Sequence, residues 1–380
     1  HQVYFFLGLG RLVVRAVEGG ATKLAKLGVG FIGAGGIAQG QHMPSYARLS
    51  DRVELVAVAD VNESSARTAA ERFHIPHVYT DYREMLQRDD LQVVVVATPN
   101  FLHKDTTIAA LEAGKHVHCE KPLACNAHEA REMVQTARRV GKLLHVSLQW
   151  RFSGVAQFLH KYIVQEGNLG EVYYARAHAL RRRGIPGWGV FIDKEKQGGG
   201  PLIDIGVHIL DTTLWLMGYP KPVAAFGATY AKFGNRPDVV GLMGQWDYTR
   251  FTVEDFAVGL IRFENGATVT LESSFCANIE RDEFSTLLLG DKGGVFADPI
   301  GEHPVRIMTE RNYTLYNIEP ANLPNVNSYQ ANVEAFVDAV FHNKPAPIPG
   351  EHGFYLNAII DAIYESSETG REARIEVDLD

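Results

Sequence analysis

Residues 28–38 read GVGFIGAGGIA, and this stretch decides the architecture of the first part of the chain. A short apolar run ends in a glycine turn that matches G-x-G-x-x-A, and a helical pattern follows at once. With 36 glycines in the chain, such a string arises easily by chance, so the strand before it and the helix after it carry the prediction. This context is typical of a loop that binds a dinucleotide.

The small residues of the turn have separate physical tasks. Gly33 permits the tight turn, Gly35 lets the backbone approach a pyrophosphate, and Ala38 permits close packing of helix on strand. The helix N-terminus adds amide donors and a positive dipole. The predicted phosphate-binding residues are Gly33, Gly35, Gly36, Ile37 and Ala38.

Asp60 indicates which dinucleotide binds. It ends the next strand pattern, 22 residues after Ala38. A carboxylate there accepts hydrogen bonds from the adenosine ribose hydroxyls and repels a 2′-phosphate, so NAD is favoured over NADP. NADP stays open as an alternative, because Arg67 lies nearby in sequence and is able to bind a phosphate.

Strand and helix patterns alternate at short spacing up to about residue 150. The run 93–97 is rich in valine, as expected for a strand buried on both faces. The predicted strands are 28–33, 53–60, 93–97, 116–120 and 143–147, and the predicted helices are 64–73, 106–113 and 127–140. The alternation predicts an α/β Rossmann domain, a doubly wound parallel sheet, over residues 27–150.

After residue 150 strands outnumber helices. Asn265-Gly266 between two strand patterns is a strong hairpin signal. The predicted helices are 154–165, 202–217, 329–342 and 351–367, and the predicted strands are 171–179, 222–232, 254–264, 267–276, 283–289 and 305–309. We therefore predict an α+β domain with a mostly antiparallel sheet over residues 151–380.

Composition excludes several classes of function. The length of 380 residues predicts two domains. The formal net charge of −8 does not indicate a basic surface of the kind that binds nucleic acid or an anionic membrane. The three cysteines, Cys119, Cys125 and Cys276, are too few for a disulfide framework and lack the spacing of metal ligands. We expect no metal, and a cytoplasmic location.

Residues 1–26 precede the first predicted strand. Their apolar run is much shorter than a membrane-spanning helix. Positive charge follows the run, whereas a signal peptide carries it first. We expect an N-terminal extension, either a tag or a mis-called start.

Glu120-Lys121-Pro122 ends the strand that follows the valine run. In open parallel sheets ligands bind beyond the carboxyl ends of the strands, so Lys121 is expected near a nicotinamide ring. A lysine partly desolvated beside a cationic ring has a lowered pKa, which suits proton exchange with a substrate hydroxyl. A solvated surface lysine is the alternative.

A second group of ionisable residues follows Gly198-Gly199-Gly200. Asp204, His208 and Asp211 share one face of a predicted helix whose other residues are apolar. Ionisable groups in so apolar a helix need a reason. Asp204 and His208 are therefore candidate site residues, with a purely structural Asp–His hydrogen bond as the alternative.

Together these motifs resemble the Gfo/Idh/MocA oxidoreductases. The chain carries the turn at 33–38, Ala-Thr-Pro-Asn at 97–100 with His103, Glu-Lys-Pro at 120–122, and G-G-G-x-x-x-D-x-G-x-H-x-x-D at 198–211, in the family's order. The resemblance covers about residues 27–380. It implies a second domain whose large open sheet often mediates oligomer formation, here a homodimer or homotetramer. It also implies action on sugars or cyclitols, and often a cis peptide before the residue matching Pro122.

The resemblance also implies roles for individual residues. The family's catalytic Lys, Asp and His match Lys121, Asp204 and His208, which are also expected to contact substrate. The residues expected at the nicotinamide side of the cofactor site are Thr98, Pro99, Asn100, His103, Glu120 and Lys121. Further expected substrate contacts are Trp150, Arg151, Arg181 and Trp188, because Trp faces stack on sugars and Arg forks hold hydroxyls or anions.

The predicted reaction is hydride transfer between NAD(H) and a secondary hydroxyl or ketone. Lys121 stabilises the developing alkoxide, His208 accepts the proton and Asp204 orients His208; exchanged roles for Lys121 and His208 fit equally well. One alternative is a glycosidase that oxidises the sugar transiently with bound NAD. The other is a non-catalytic NAD-binding sensor.

Overall fold

The computed structural model describes residues 26–379. The expected N-terminal extension lies outside the described residues, apart from Lys26. Among residues 26–379, no helix combines the length and the apolar character needed to cross a bilayer.

The first sheet has six strands, and every pair of neighbours is parallel. Its order is β3-β2-β1-β4-β5-β6. The strands are β1 (Leu27–Ile32), β2 (Val53–Ala59), β3 (His77–Tyr79), β4 (Val93–Val96), β5 (His116–Glu120) and β6 (Leu144–Ser147). The strand order reverses between β1 and β4, and ligands bind at such a reversal. The predicted Rossmann architecture is confirmed.

Local sequence explains these elements. All four valines of β4 are fully buried, because helices cover both faces of the sheet. The helices are α1 (Met43–Ala47), α2 (Glu63–Phe73), α3 (Tyr82–Leu86), α4 (His103–Glu112) and α5 (Ala127–Val140). Asn126 caps α5 by accepting from the amide of Glu129 at 2.9 Å, and Gly141 ends α5 with φ of +65°.

The second sheet has nine strands, in the order β14-β13-β12-β11-β7-β10-β9-β8-β15. All its pairs are antiparallel except β7 with β10. The strands are β7 (Val172–Leu180), β8 (Pro222–Tyr230), β9 (Phe256–Phe263), β10 (Thr268–Ser274), β11 (Glu283–Gly290), β12 (Gly294–Ala297), β13 (Val305–Arg311), β14 (Thr314–Ile318) and β15 (Ala373–Arg374). The predicted mostly antiparallel sheet is confirmed.

Helices cover one face of this sheet. The helices after residue 150 are α6 (Gly154–His160), α7 (Lys194–Gln197), α8 (Val207–Leu216), α9 (Ser328–Phe341) and α10 (Gly350–Thr369). Of these, α8 packs on β7 and β11, and α10 packs on β8. Ala175, Ala177 and Ala179 of β7 are fully buried beneath helices, whereas Arg176 and His178 alternate with them on the other face.

The structure differs from the sequence prediction in particular elements. Four strands were not predicted: β3, β12 and β15 have only three, four and two residues, and all of β14 is exposed, so none shows a half-buried alternation. The predicted helix 202–217 begins with a π-helical turn, Leu202–Gly206, before α8. The predicted hairpin at Asn265-Gly266 is confirmed, and Gly266 has φ of +87°.

The last two long helices pack on the Rossmann domain, α9 on α1 and α10 on α5 and β6. Phe336 of α9 is fully buried against the ring of His145, which belongs to β6. His145 also lies 2.8 Å from the side chain of Asn332 in α9. The end of the chain therefore packs on the Rossmann domain, so residues after 150 contribute to the packing around both sheets.

Candidate active site

The glycine turn leaves space for a pyrophosphate. Gly33 has φ of +99°, and a Cβ there would lie 2.4 Å from the carbonyl oxygen of Ala97, so only glycine fits. A Cβ on Gly35 or Gly36 would instead meet no described atom within 4 Å. Both glycines are exposed, whereas Ala38 is fully buried. The turn is thus rigid where it packs on the sheet and open where a phosphate would approach.

Asp60 lies beside this turn. Its carboxylate accepts from the amide of Ala34 at 2.7 Å and from the amide of Asn62 at 2.8 Å, and Asp60 stays partly exposed. Arg67, the group that would favour NADP, donates through Nε to Glu63 at 2.9 Å on the surface of α2. The guanidinium already faces a carboxylate, so this arrangement favours NAD over NADP.

The loop after β4 carries an unused polar atom. The hydroxyl of Thr98 is buried and has no hydrogen-bond partner within residues 26–379. Pro99 is exposed beside it. A buried hydroxyl is normally paired. The Thr98 hydroxyl and the open space at Gly35 therefore fit a dinucleotide that spans from one to the other.

Asn100 and His103 hold this loop in place. Asn100 donates through Nδ2 to the carbonyl of Gln197 at 2.9 Å. The ring of His103 lies 2.8 Å from the carbonyl of Pro122 and 2.9 Å from that of Thr98, and burial lowers its pKa. Both side chains are buried by protein partners. Their polar atoms join the loop to its neighbours, and contact of these two residues with the cofactor stays a prediction.

Lys121 reaches from the end of β5 to the second domain. The Lys121–Pro122 peptide is cis. The ammonium donates to the carboxylate of Asp204 at 2.8 Å and to the backbone carbonyl of Asp204 at 2.9 Å. An ammonium has three hydrogens, so one remains for a ligand. The side chain of Lys121 keeps 17% of its exposure.

Asp204 has a different partner from the one expected. The four-residue spacing predicts a hydrogen bond to His208, but within the described chain none joins these side chains, and Asp204 pairs with Lys121. Asp204 lies in the π-helical turn, which has more residues per turn than an α-helix and so changes which residues share a face. The proposed orienting role of Asp204 toward His208 is therefore wrong.

His208 lies at the beginning of α8, close to this ion pair. Its ring stacks on Trp150, with centroids 4.8 Å apart and an angle of 18° between the planes. Its Nδ1 atom is buried and finds no hydrogen-bond partner in the described part of the chain. Burial lowers the pKa of His208 well below its ordinary value, and the positive charges of Lys121 and Arg181 lower it further. The imidazole is therefore neutral at neutral pH and able to accept a proton.

Glu120 holds the strand end that presents Lys121. One carboxylate oxygen accepts from Nε2 of His42 at 2.6 Å, and the other accepts from the amide of Lys121 at 3.1 Å. Burial acts to raise the pKa of Glu120, but the His42 contact and the Lys121 charge hold it below its ordinary value. His42 was not predicted from the sequence, because nothing in its local pattern distinguishes it from other buried histidines.

Glu254 anchors the glycine loop before the π-helical turn. Its buried carboxylate accepts from the amides of Gly200 at 2.9 Å and Leu202 at 3.2 Å. The hydroxyl of Tyr364 donates to the same carboxylate at 2.9 Å. Burial raises the pKa of Glu254. These three bonds position the segment that carries Asp204, and the sequence analysis missed both Glu254 and Tyr364.

Arg151 does not face the candidate site. It is 2% exposed, and its guanidinium donates to both carboxylate oxygens of Asp211, through Nε at 2.8 Å. Tyr219 donates to the same carboxylate at 3.1 Å. The expected substrate contact from Arg151 is corrected, because Asp211 holds this side chain in the interior.

Arg181 and Trp188 occupy different surroundings. Arg181 is half-buried, lies over the ring of Phe275 and lowers the pKa of His208, so its charge acts on the site. Trp188 is 54% exposed and lines a separate open cavity of about 990 Å³ together with Trp246. Among the expected substrate residues, the structure thus brings together Lys121, Trp150, Arg181, Asp204 and His208.

Comparison with known proteins identifies the family. Residues 27–148 match the model described as an oxidoreductase family with an NAD-binding Rossmann fold. Residues 161–377 match the model of that family's C-terminal alpha/beta domain. The chain belongs to the Gfo/Idh/MocA oxidoreductase family. As a member it is an NAD-binding oxidoreductase.

Relatives within the Gfo/Idh/MocA family match over nearly their whole length. The D-glucoside 3-dehydrogenase of Escherichia coli K12 is 39% identical over 93% of this chain and 99% of its own. The 1,5-anhydro-D-fructose reductase of Ensifer adhaerens is 29% identical over 86% and 92%. The myo-inositol 2-dehydrogenase of Thermotoga maritima is 26% identical over 92% and 98%.

Solved structures share the fold. An oxidoreductase domain protein from Kribbella flavida is 26% identical with a TM-score of 0.80, over 92% of this chain and 99% of its own. Levoglucosan dehydrogenase in complex with NADH has a TM-score of 0.80 at 23% identity, over 93% and 100%, and this likeness concerns the fold alone.

Proposed function

We propose that this chain transfers hydride between NAD(H) and a ring hydroxyl of a glucoside. One observation carries the proposal: an ammonium from the Rossmann domain meets Asp204 of the second domain beside a neutral imidazole. This arrangement suits removal of a proton from an alcohol as hydride leaves. A glucoside is favoured as substrate because the D-glucoside 3-dehydrogenase aligns over nearly the whole chain.

Lys121 binds the substrate oxygen. NAD, when bound, supplies the hydride acceptor. Two of the ammonium hydrogens are held by Asp204, which orients the third toward a ligand. That hydrogen stabilises negative charge as it develops on the oxygen. Asp204 thus acts on Lys121 and fixes the direction of its ammonium.

His208 accepts the proton. Its lowered pKa keeps the imidazole unprotonated at neutral pH. Trp150 stacks on the ring and fixes its plane, so that a ring nitrogen is available to the hydroxyl. The exchanged assignment, with Lys121 as base, is less favoured because the carboxylate of Asp204 lies 2.8 Å from the ammonium.

A spectrophotometric screen at the NADH absorbance band tests this function. Methyl glucosides, free aldoses, inositols and sugar phosphates are tested with NAD and NADP separately. We expect NADH formation with methyl glucoside, and its loss in the His208→Ala variant while NAD still binds. Full activity in that variant would remove His208 from the mechanism. Release of the aglycone without net NADH would favour the glycosidase, and NAD binding without any turnover would favour the sensor.

We also propose a homodimer or homotetramer formed through the second sheet. The face of this sheet away from the helices carries Phe226 and Leu260, which pair across β8 and β9 and are 51% and 42% exposed. Exposed apolar patches of this kind favour association. Light scattering of the wild type and of Leu260→Lys tests this. A wild-type monomer would contradict the proposal.

A cytoplasmic location is proposed from the cysteines. All three are free thiols, and Cys119 and Cys276 are buried. Free thiols are typical of a reducing compartment. Cell fractionation followed by immunoblotting tests this, and recovery outside the cytoplasmic fraction would contradict it.

A further inference from the structure

An apolar cleft lies directly behind Trp150. Its volume is about 380 Å³, and it runs between α6, α8 and β11. Its apolar walls include Trp150, Leu159, Ile209, Leu216, Phe284 and Ile300. In the described residues no charged side chain lines it. A cleft of this size accommodates a group about as large as an aromatic ring with a substituent.

The cleft adjoins the candidate site. Trp150 forms part of its wall, and the same indole stacks on His208. Phe284 packs edge-on against Trp150, with centroids 5.7 Å apart, and also lines the cleft. Thr212 of the lining lies one helical turn after His208 and donates to its carbonyl at 3.0 Å. The Trp150 indole is thus shared by the cleft and the candidate site, and Ile209, the residue after His208, also lines the cleft.

Each side-chain hydroxyl of the lining already makes one hydrogen bond within the protein. The Ser153 hydroxyl accepts from the amide of Ala156 at 3.2 Å, and the Thr212 hydroxyl donates to the carbonyl of His208. The Thr286 hydroxyl is 2.9 Å from that of Thr213. A second sugar unit would lose many hydrogen bonds to water and would find only three hydroxyls here, each already in one hydrogen bond, to replace them. The lining therefore favours an apolar occupant.

We propose that this cleft binds the apolar aglycone of the glucoside. The inference rests on the proposed function, because it takes the sugar to lie between Lys121 and His208. The aglycone occupies the cleft behind Trp150, between Ile209 and Phe284. The chain is then selective for glucosides with an aromatic or alkyl aglycone over methyl glucosides and disaccharides.

The test compares substrates and one variant at the cleft. Ile300 is 57% exposed at the rim, so Ile300→Asp adds a charge to the cleft without removing a core residue. We expect kcat/KM for phenyl glucoside to exceed that for methyl glucoside by about tenfold, from burial of the ring. Ile300→Asp removes most of this advantage and leaves methyl glucoside unchanged. The matched control is Leu315→Asp on β14, which is 83% exposed and outside the cleft.

A second measurement separates the two proposals. Calorimetric titration of phenyl glucoside into the enzyme with NADH reports binding without turnover. Oxidation of methyl glucoside with no preference for phenyl glucoside, or a preference for cellobiose, would overturn the cleft assignment alone. Absence of turnover, with phenyl glucoside binding that Ile300→Asp weakens, would overturn the proposed reaction and support the cleft. Absence of both turnover and binding would overturn both.

Discussion

Replacement of Lys121 by Met separates the chemical role of the ammonium from its structural role. The variant keeps a side chain of similar length and removes two hydrogen bonds to Asp204, at 2.8 and 2.9 Å. It also removes the hydrogen that is free for substrate. Loss of one donor aimed at a developing oxyanion lowers turnover by about 10²–10³.

The same replacement leaves Asp204 buried without its cation. The side chain of Asp204 is 7% exposed. Removing one partner of a buried ion pair leaves an uncompensated charge and destabilises a protein by about 3–5 kcal/mol. Because Lys121 is partly exposed, we expect Lys121→Met to lower the free energy of unfolding by about 3 kcal/mol. Removing both partners, in Lys121→Met with Asp204→Leu, leaves no buried charge. We expect the double variant to recover most of the stability and none of the turnover.

Three assays read out this prediction. Absorbance of NADH reports turnover, fluorescence titration with NADH reports cofactor binding, and urea unfolding reports stability. Lys344→Met is the matched control, because it breaks an exposed pair with Asp338 at 3.0 Å. Such pairs contribute about 0–1 kcal/mol. Turnover within tenfold of the wild type in Lys121→Met, or a loss of NADH affinity as large as the loss of turnover, would refute the reasoning.

Further predictions concern the cofactor, the glycine loop and pH. Asp60→Ala lowers kcat/KM with NAD by about tenfold and raises that with NADP, since a ribose acceptor is lost and repulsion of the 2′-phosphate is relieved; an unchanged ratio of the two constants would contradict this. Glu254→Gln lowers kcat by about tenfold and leaves KM for NAD unchanged, because loss of the charge weakens the hydrogen bonds to the glycine loop. Tyr364→Phe lowers kcat by a smaller factor. Equal changes in kcat and KM would contradict a positioning role for Glu254. The acid limb of the pH–rate profile lies below pH 6.5, because His208 in the folded protein has a depressed pKa; a limb at or above 6.5 would contradict it. Burial lowers the pKa of His145 to about 3 in the folded protein, whereas in the unfolded chain it has its ordinary value of about 6.5. Between these two pH values the unfolded chain binds a proton at His145 that the folded protein does not bind. Stability therefore falls with decreasing pH in this window by about 1.4 kcal/mol per pH unit for this residue, and urea unfolding at pH 7 and 5.5 should show a smaller fall in His145→Gln.

The Rossmann half of the chain was predictable because its signals are local. Position 33 needs glycine because a Cβ would clash in the tight turn between the strand and the helix. This requirement arises wherever a strand and a helix are joined at this angle. A run of four valines has few ways to be buried other than in a central parallel strand. The position of Lys121 at the end of a strand followed from the same logic, since parallel strands end at one edge of the sheet.

Contacts across long separations were not predictable from spacing. The π-helical turn at Leu202–Gly206 directs Asp204 to Lys121 instead of His208. Arg151 becomes an interior ion pair because Asp211 lies in its reach. Local patterns contain no information on either partner, because pairing depends on how elements remote in sequence pack.

By itself the sequence determined the alternation of strands and helices in the Rossmann half, the glycine turn that admits a dinucleotide, and the presence of a lysine and a histidine suited to proton transfer. The tertiary structure decided which groups face each other. It places the carboxylate of Glu254 under the glycine loop from 54 residues away and aligns an apolar cleft behind Trp150. The physical reason is that periodicity and turn chemistry act over a few residues, whereas a site is assembled by packing between elements remote in sequence.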